Sequence, residues 1–378
     1  MITQNKFYSY NRGALPAGCQ HCVRGEKLVL FVTGICPRRC YFCPISDEKY
    51  GKDVTFANER RIFQEQDLLT EADLMQAKGA GITGGDPLSV IDRTVADIQK
   101  LKQNYGRTFH LHLYTSLVLV TPEKLQALYD AGLDEIRFHP DFDDKKLWPK
   151  LELARQFPWA IGVEIPCIPG KQQQICELID YIQDKVQFLN LNELEISDNS
   201  FSQLGQMGFK TKDRFSYAIE GSLELGFQLI SNVEKKGYPL AVHLCTAKLK
   251  DKVQLGNRFK RESRGMKRPF DIVTKEGALI RGALYLPELA PGFGYRRKLT
   301  EINKEDYLVK LRVLLPMVAA KAHLDKEDYC LDLDKPRILI SAKVVYRYAA
   351  VFKEFGLLPA RVMEYPTADQ LEIEIDFV

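Results

Sequence analysis

The stretch KLVLFVTGICPRRCYFCPIS, Lys27 to Ser46, joins a run of apolar and β-branched residues to three cysteines within eight positions. Lys27 to Ile35 reads as a strand, because a short apolar run bounded by turn residues favours strand over helix. Cys36, Cys40 and Cys43 then stand where that strand ends. Outward from it, similar runs recur at 80–84, 109–116, 134–140, 160–168, 188–197 and 240–247. Between them lie helix-like segments at 65–78, 89–104, 122–131, 144–157, 172–186 and 218–236, each with Leu, Ile or Ala at three- and four-residue spacing. This alternation implies right-handed crossovers and a parallel sheet. Six or seven units favour an α/β fold built as a partial or closed parallel (β/α)6-7 barrel, whose ligands sit at the C-terminal strand ends.

Composition sets the conditions for the thiols. At 378 residues with 45% apolar content, the chain fills a large core and leaves room for an accessory piece. No apolar run approaches the roughly 18 residues of a membrane span, so no membrane insertion is expected. The first residues lack the pattern of a signal peptide, which makes the cytoplasm the expected location. Thiols stay reduced there, and nine cysteines, five of them before residue 44, point to metal or redox chemistry rather than disulfides. Zinc prefers four closed ligands, whereas in an iron–sulfur cluster each iron takes one protein thiolate. Three cysteines on a four-iron cluster leave one iron open to a chelating substrate or cofactor.

Two motifs carry a family resemblance. Cys36-Pro-Arg-Arg-Cys40-Tyr-Phe-Cys43 has CxxxCxxC spacing with an aromatic before the last cysteine, and GITGGDPL, Gly81 to Leu88, closes the second expected strand. Together they resemble the radical S-adenosylmethionine (SAM) superfamily, and within it an archaeal-type family related to pyruvate formate-lyase activating enzymes. The resemblance covers about residues 27–247 and implies a barrel of radical SAM type. It implies that Cys36, Cys40 and Cys43 ligate a [4Fe-4S] cluster whose open iron takes the amino and carboxylate groups of S-adenosylmethionine. Reductive cleavage then yields a 5′-deoxyadenosyl radical that abstracts hydrogen from a substrate. On the same basis, Gly84, Gly85, Asp86 and Pro87 bind the methionyl end through backbone groups, while Phe42 and Ile168 approach the adenine. Arg137 and His139, two apart and so on one strand face, contact the ribose and carboxylate. The family more often has glutamate at the position of Asp86. An electron donor such as ferredoxin or flavodoxin is implied as a partner.

A second constellation comes from the residues themselves. Cys19 and Cys22 form a CxxC ahead of the first strand, and His243 and Cys245 share one face of the last. Cys19, Cys22 and Cys245, with His243 or His21 as a fourth ligand, are candidates for an auxiliary site holding a second Fe-S cluster or zinc. The competing reading is a free thiol pair and a buried small hydrophobe. Glu164, the pair Asn190 and Asn192 and the pair Glu193 and Glu195 are candidates for substrate or cofactor binding, but only one of the two pairs points inward. His110 and His112 are candidates for the lumen.

The expected division is an N-terminal extension over 1–26, a barrel over 27–260 and a C-terminal α+β accessory region over 261–378. The last contains a hairpin around Lys275-Glu276-Gly277 and a finish of helices and two strands. From Lys248 to Arg268, nine Lys or Arg against two Asp or Glu give a local charge of +7 in a chain whose formal total is +3. Such a run attracts polyanions or forms a solvated helix face. Three functions are therefore carried forward. The first is a radical SAM enzyme acting on a small molecule or protein, the second one acting on RNA through residues 248–268, and the third a non-enzymatic zinc or Fe-S nucleic-acid-binding protein. Glycyl-radical activation is disfavoured at this level, since such activators usually have a shorter chain without an appendage.

Overall fold

The computed structural model describes residues 3–378, so the first two residues of the N-terminal extension lie outside it. The chain forms two compact units, one reaching to Arg258 and one from Phe259 to Val378.

The first unit is built on β1 (Tyr10–Arg12), α1 (Ala17–Val23), β2 (Lys27–Phe31), α2 (Glu65–Leu74), β3 (Gly79–Thr83), α3 (Ile91–Tyr105), β4 (His110–Ser116) and α4 (Pro122–Ala131). It continues through β5 (Glu135–His139), β6 (Ala160–Cys167), α5 (Gln172–Ile182), β7 (Phe188–Glu193), α6 (Ser222–Lys235) and β8 (Ala241–Cys245). Strands β2 to β8 are parallel neighbours in chain order, so the sheet winds in one direction. It does not close: β1 pairs antiparallel with β8, and Phe56–Ala57 covers the free side of β2. The barrel is therefore partial.

Alternation along the strands separates two chemistries. Leu111, Leu113, Ile136, Phe138, Val163, Ile165, Leu189, Leu191, Val242 and Leu244 enter the main core. Their neighbours in sequence, including His112, Tyr114, Arg137, Glu164, Asn190 and Asn192, turn to the lumen and bond to one another. Local signals fix the helix ends. Thr121 caps α4 by accepting from the Lys124 N–H, Pro122 opens it, and Gly132 at φ 102° closes it.

Two boundaries differ from expectation. Residues 144–157 do not form an α-helix; Lys145–Gln156 is a 3₁₀ run containing Pro149, which lacks the N–H that an α-helix requires there. Strand β7 stops at Glu193, and Glu195 makes only an isolated bridge to Ala218 within a long irregular segment before Gly221.

The second unit has β9 (Leu279–Tyr285), α7 (Lys304–Lys321), β10 (Tyr329–Asp332), β11 (Arg337–Ile340), α8 (Ala342–Glu354), β12 (Leu358–Glu364) and β13 (Glu372–Phe377). Its sheet is antiparallel in the order β10-β11-β9-β12-β13, with Ile272–Val273 added to β9 across the expected turn at Gly277. Four strands follow that hairpin where the sequence suggested two. Helices α7 and α8 supply Leu311, Val318, Val345 and Phe352 to a core with Leu284, Ile338 and Ile340. Arg337 is fully buried, and Asp332, Glu364 and Tyr285 satisfy its guanidinium.

Candidate functional site

A cavity of about 650 Å³ opens at the C-terminal strand ends and runs into the lumen. The loop after β2 forms one wall. Gly34 crosses so close to the next turn that a Cβ there would lie 1.7 Å from the Lys49 carbonyl, and Gly34 N–H donates to Lys52 O at 2.8 Å. That crossing folds the cysteine loop back over the strand end. Cys36, Cys40 and Cys43 are all half-buried, and Cys36 and Cys40 line the cavity. Burial pushes all three thiols up, Cys36 to about 11 despite the Arg38 N–H on its sulfur. Thiols raised in this way become thiolate ligands only when a cation displaces their protons.

Among the described residues, no three His, Cys, Asp or Glu side chains converge as ligands of one ion. Cys19, Cys22 and Cys245 are no exception to this. Cys19 and Cys22 lie on α1, and Cys19 Sγ accepts from Asn190 Nδ2 at 3.2 Å. Cys245 packs with Val23 and Leu249 and takes a contact from Gln254 at 3.8 Å. His243, across β8, meets Ser9 Oγ at 3.2 Å.

The GGDP edge forms the second wall. Gly84 stands at φ 151°, where a Cβ would meet Thr33 O at 2.4 Å, and one on Gly85 would meet Ile35 O at 2.3 Å. The Gly85 and Asp86 N–H groups donate to Thr33 O and Ile35 O at 2.7 and 2.9 Å. Gly84 and Gly85 line the cavity, whereas Asp86 and Pro87 are buried behind them. The Asp86 carboxylate accepts from Leu88 N–H, Thr115 Oγ1, Ser116 N–H and Ser116 Oγ at 2.6–3.1 Å. The Gly85 and Asp86 N–H groups are thus spent on the neighbouring loop.

Phe42 and His139 both line the cavity and pack against each other, with ring centroids 5.8 Å apart and planes tilted by 50°. Burial and the nearby Arg38 lower His139 to about 4, so its ring is neutral. Arg137 is 2% exposed; it pairs with Glu135 and donates to Glu164 Oε2 at 2.8 Å and Tyr114 Oη at 3.2 Å. Burial alone would raise Glu164, yet Arg137, Asn190 and Asn192 hold it down to about 2. Asn190 and Asn192 are thus the inward pair. Glu193 and Glu195 reach the rim paired with Lys212 and Lys250. His112 is buried in the lumen with its Nε2 3.2 Å from Tyr114 Oη, and His110 lies beside it. Ile168 is buried in the main core and does not line the cavity.

The sequence reading missed Lys27, Arg38 and Tyr114, which all line the cavity. Tyr114 continues the inward alternation of His110 and His112, a signal present in FHLHLYTS. The basic segment is not one free patch. Lys250 pairs with Glu195, and Arg258 donates to both oxygens of Glu59 at 2.9 and 2.7 Å. Among the described residues, no helix is long and apolar enough to cross a membrane.

The sequence profile of the radical SAM superfamily matches residues 30–185. A Methanocaldococcus jannaschii protein named "Putative glycyl-radical enzyme activating enzyme MJ0021" is 36% identical over 379 aligned residues, covering 98% of this chain and 94% of its own. A "PqqA peptide cyclase" of Bradyrhizobium diazoefficiens is 26% identical over 187 residues, 45% of this chain and 46% of that protein. Among solved structures, Streptococcus suis SuiB aligns with a TM-score of 0.40 at 11% identity, over 66% of this chain and 54% of that one. Methylornithine synthase aligns with a TM-score of 0.38 at 12% identity, over 56% and 66%. Chain length and the C-terminal region therefore give no ground against glycyl-radical activation, because the relative so named matches nearly end to end.

Proposed function

We propose, from the premise that the chain belongs to the radical SAM superfamily, that it is an activating enzyme whose cavity receives S-adenosylmethionine and a segment of a protein substrate. The family's [4Fe-4S] cluster is assigned to Cys36, Cys40 and Cys43. When bound, cluster and S-adenosylmethionine supply one-electron cleavage of a sulfonium carbon–sulfur bond, the source of hydrogen abstraction. The observation that carries this reading is the convergence of the cysteine loop, the glycine edge, Phe42 and His139 on one cavity.

Each of these residues has a task its geometry suits. The Gly84 and Gly85 carbonyls accept from the methionyl ammonium. Phe42 and the neutral His139 ring give the adenine flat neighbours. Arg137, already committed to Glu135 and Glu164, stiffens the inner wall. Depth and apolar walls keep water from the reacting centre. A protein substrate and a reductant of ferredoxin or flavodoxin type fit an activating enzyme, and the name of the M. jannaschii relative supports the first. The ion pairs of Lys250 and Arg258 take two of the nine cations of the 248–268 run away from any RNA-binding surface.

Anaerobically purified protein is expected to be brown with about four irons per chain, and to form 5′-deoxyadenosine from S-adenosylmethionine under dithionite. The combined C36A, C40A and C43A variant is expected to do neither. Formation of 5′-deoxyadenosine by that variant overturns the assignment.

A further inference from the structure

Lys27 begins β2 and Phe31 ends it, so the lysine starts about 13 Å of strand below the cysteine loop, at roughly 3.3 Å per residue. Its side chain nevertheless lines the same cavity as Cys36 and Phe42. Room for it comes from Gly81, where a Cβ would lie 3.2 Å from Lys27 Cδ. An ammonium carries three donors. Among the described residues, Lys27 Nζ makes one hydrogen bond, to Tyr114 Oη at 3.4 Å, and has no ion pair.

The contrast with the other cations around the cavity is informative. Arg38 is spent on His139 O and Asp141, Arg137 on Glu135 and Glu164, and Lys250 on Glu195. Tyr114 Oη is also occupied, receiving Lys27 and Arg137 and facing His112 Nε2. Tyr114 therefore positions the ammonium and is not itself open to a ligand. A cation enclosed in a cavity with unfilled donors calls for an anion.

Among the described residues no carboxylate lies within ion-pair distance of Lys27 Nζ, so a directly bonded anion has to come from a ligand. Its charge is bounded by the surroundings. Glu135 and Glu164 in the same wall are both held by Arg137, so Lys27 is left with one positive charge that has no direct ion pair among the described residues, and a single negative charge is tolerated there better than two. A carboxylate fits and a phosphate dianion does not. We propose that Lys27 anchors a carboxylate of the substrate, with Tyr114 as its positioning residue. The inference rests on reading this cavity as the substrate site. The carboxylate of S-adenosylmethionine is a poor candidate, because the cluster end of the site lies at the opposite end of β2.

The test is calorimetry on the anaerobic holoenzyme with S-adenosylmethionine present. The probes are N-acetylglycine, N-acetylglycinamide, tetraglycine and tetraglycine amide. Saturable binding of the carboxylates is expected, at least tenfold tighter than of the matching amides. Lys27→Met is expected to weaken carboxylate binding at least tenfold, and Lys27→Arg to retain most of it. If tetraglycine binds more tightly than N-acetylglycine, the carboxylate belongs to a polypeptide; if the two match, it belongs to a small molecule. Equal binding of acids and amides, absence of saturable binding, or exclusion of the probes by S-adenosylmethionine overturns the proposal. The acid and amide comparison needs no variant, so a poorly folding Lys27→Met leaves it decisive. Failure of the functional reading would appear instead as absent 5′-deoxyadenosine, which calorimetry does not measure.

Discussion

Asp86 illustrates what one side chain does beneath a binding edge. It is fully buried, and its two oxygens collect four donors from Leu88, Thr115 and Ser116. The short carboxylate thereby ties the glycine edge after β3 to the end of β4. A glutamate would add a methylene to a site with no spare volume. Asp86→Glu is expected to cost about 1–3 kcal/mol, read as a lower urea midpoint at unchanged slope. It is also expected to weaken S-adenosylmethionine binding, since Gly84 and Gly85 shift with it. Unchanged stability would mean that the loop accommodates either acid. The importance of the glycines was legible in GGDPL, because their backbone need is local. The role of Asp86 was not, because Thr115 and Ser116 lie about 30 residues away and only the parallel pairing of β3 and β4 brings them together.

Among the elements, strands were easier to read than their inner faces. Buried parallel strands appear as near-continuous apolar runs, so β2 to β8 all lie within the expected stretches or one residue from them. The 3₁₀ run at Lys145–Gln156 was missed because amphipathic spacing outweighed Pro149 in the reading. The place of α1 left no local trace: its Gly18 N–H donates to Glu135 Oε2 at 3.2 Å, and a Cβ on Gly18 would lie 2.5 Å from Arg137. The choice between the Asn190 and Glu193 faces is likewise made by Glu164 and Arg137 on neighbouring strands. Arg137 is thus the counterion on which β4, β5 and β6 depend. Arg137→Met is expected to cost about 3–5 kcal/mol, because Glu135 is left buried without its partner. Thermal unfolding of the variant checks this, and Arg137→Met with Glu135→Gln should recover part of the loss. No recovery would place the cost in packing rather than charge.

For the whole molecule, charge arrangement matters more than net charge. The +7 run that suggested a polyanion surface is reduced by the fold, since Lys250 and Arg258, two of its nine cations, are drawn into ion pairs with Glu195 and Glu59. His112, His139 and His243 behave in the opposite sense, being held neutral by burial. Burial lowers His112 well below its ordinary value of 6.5 and His243 to about 4. The unfolded chain takes up these protons first as pH falls. Stability is therefore complete above about pH 6.5 and declines toward pH 4, by about 1.4 kcal/mol per pH unit for each histidine. Glu164 acts in a separate window. Its lowered value of about 2 contributes stability above its ordinary 4.5, and this is lost only as pH falls from 4.5 toward 2. Urea unfolding of the cluster-free protein between pH 7 and 4.5 should show stability falling with pH as His112, His139 and His243 take up protons in the unfolded chain, and His243→Gln should reduce the slope by about one proton. An unchanged slope in that variant would mean that His243 carries its proton in the folded state.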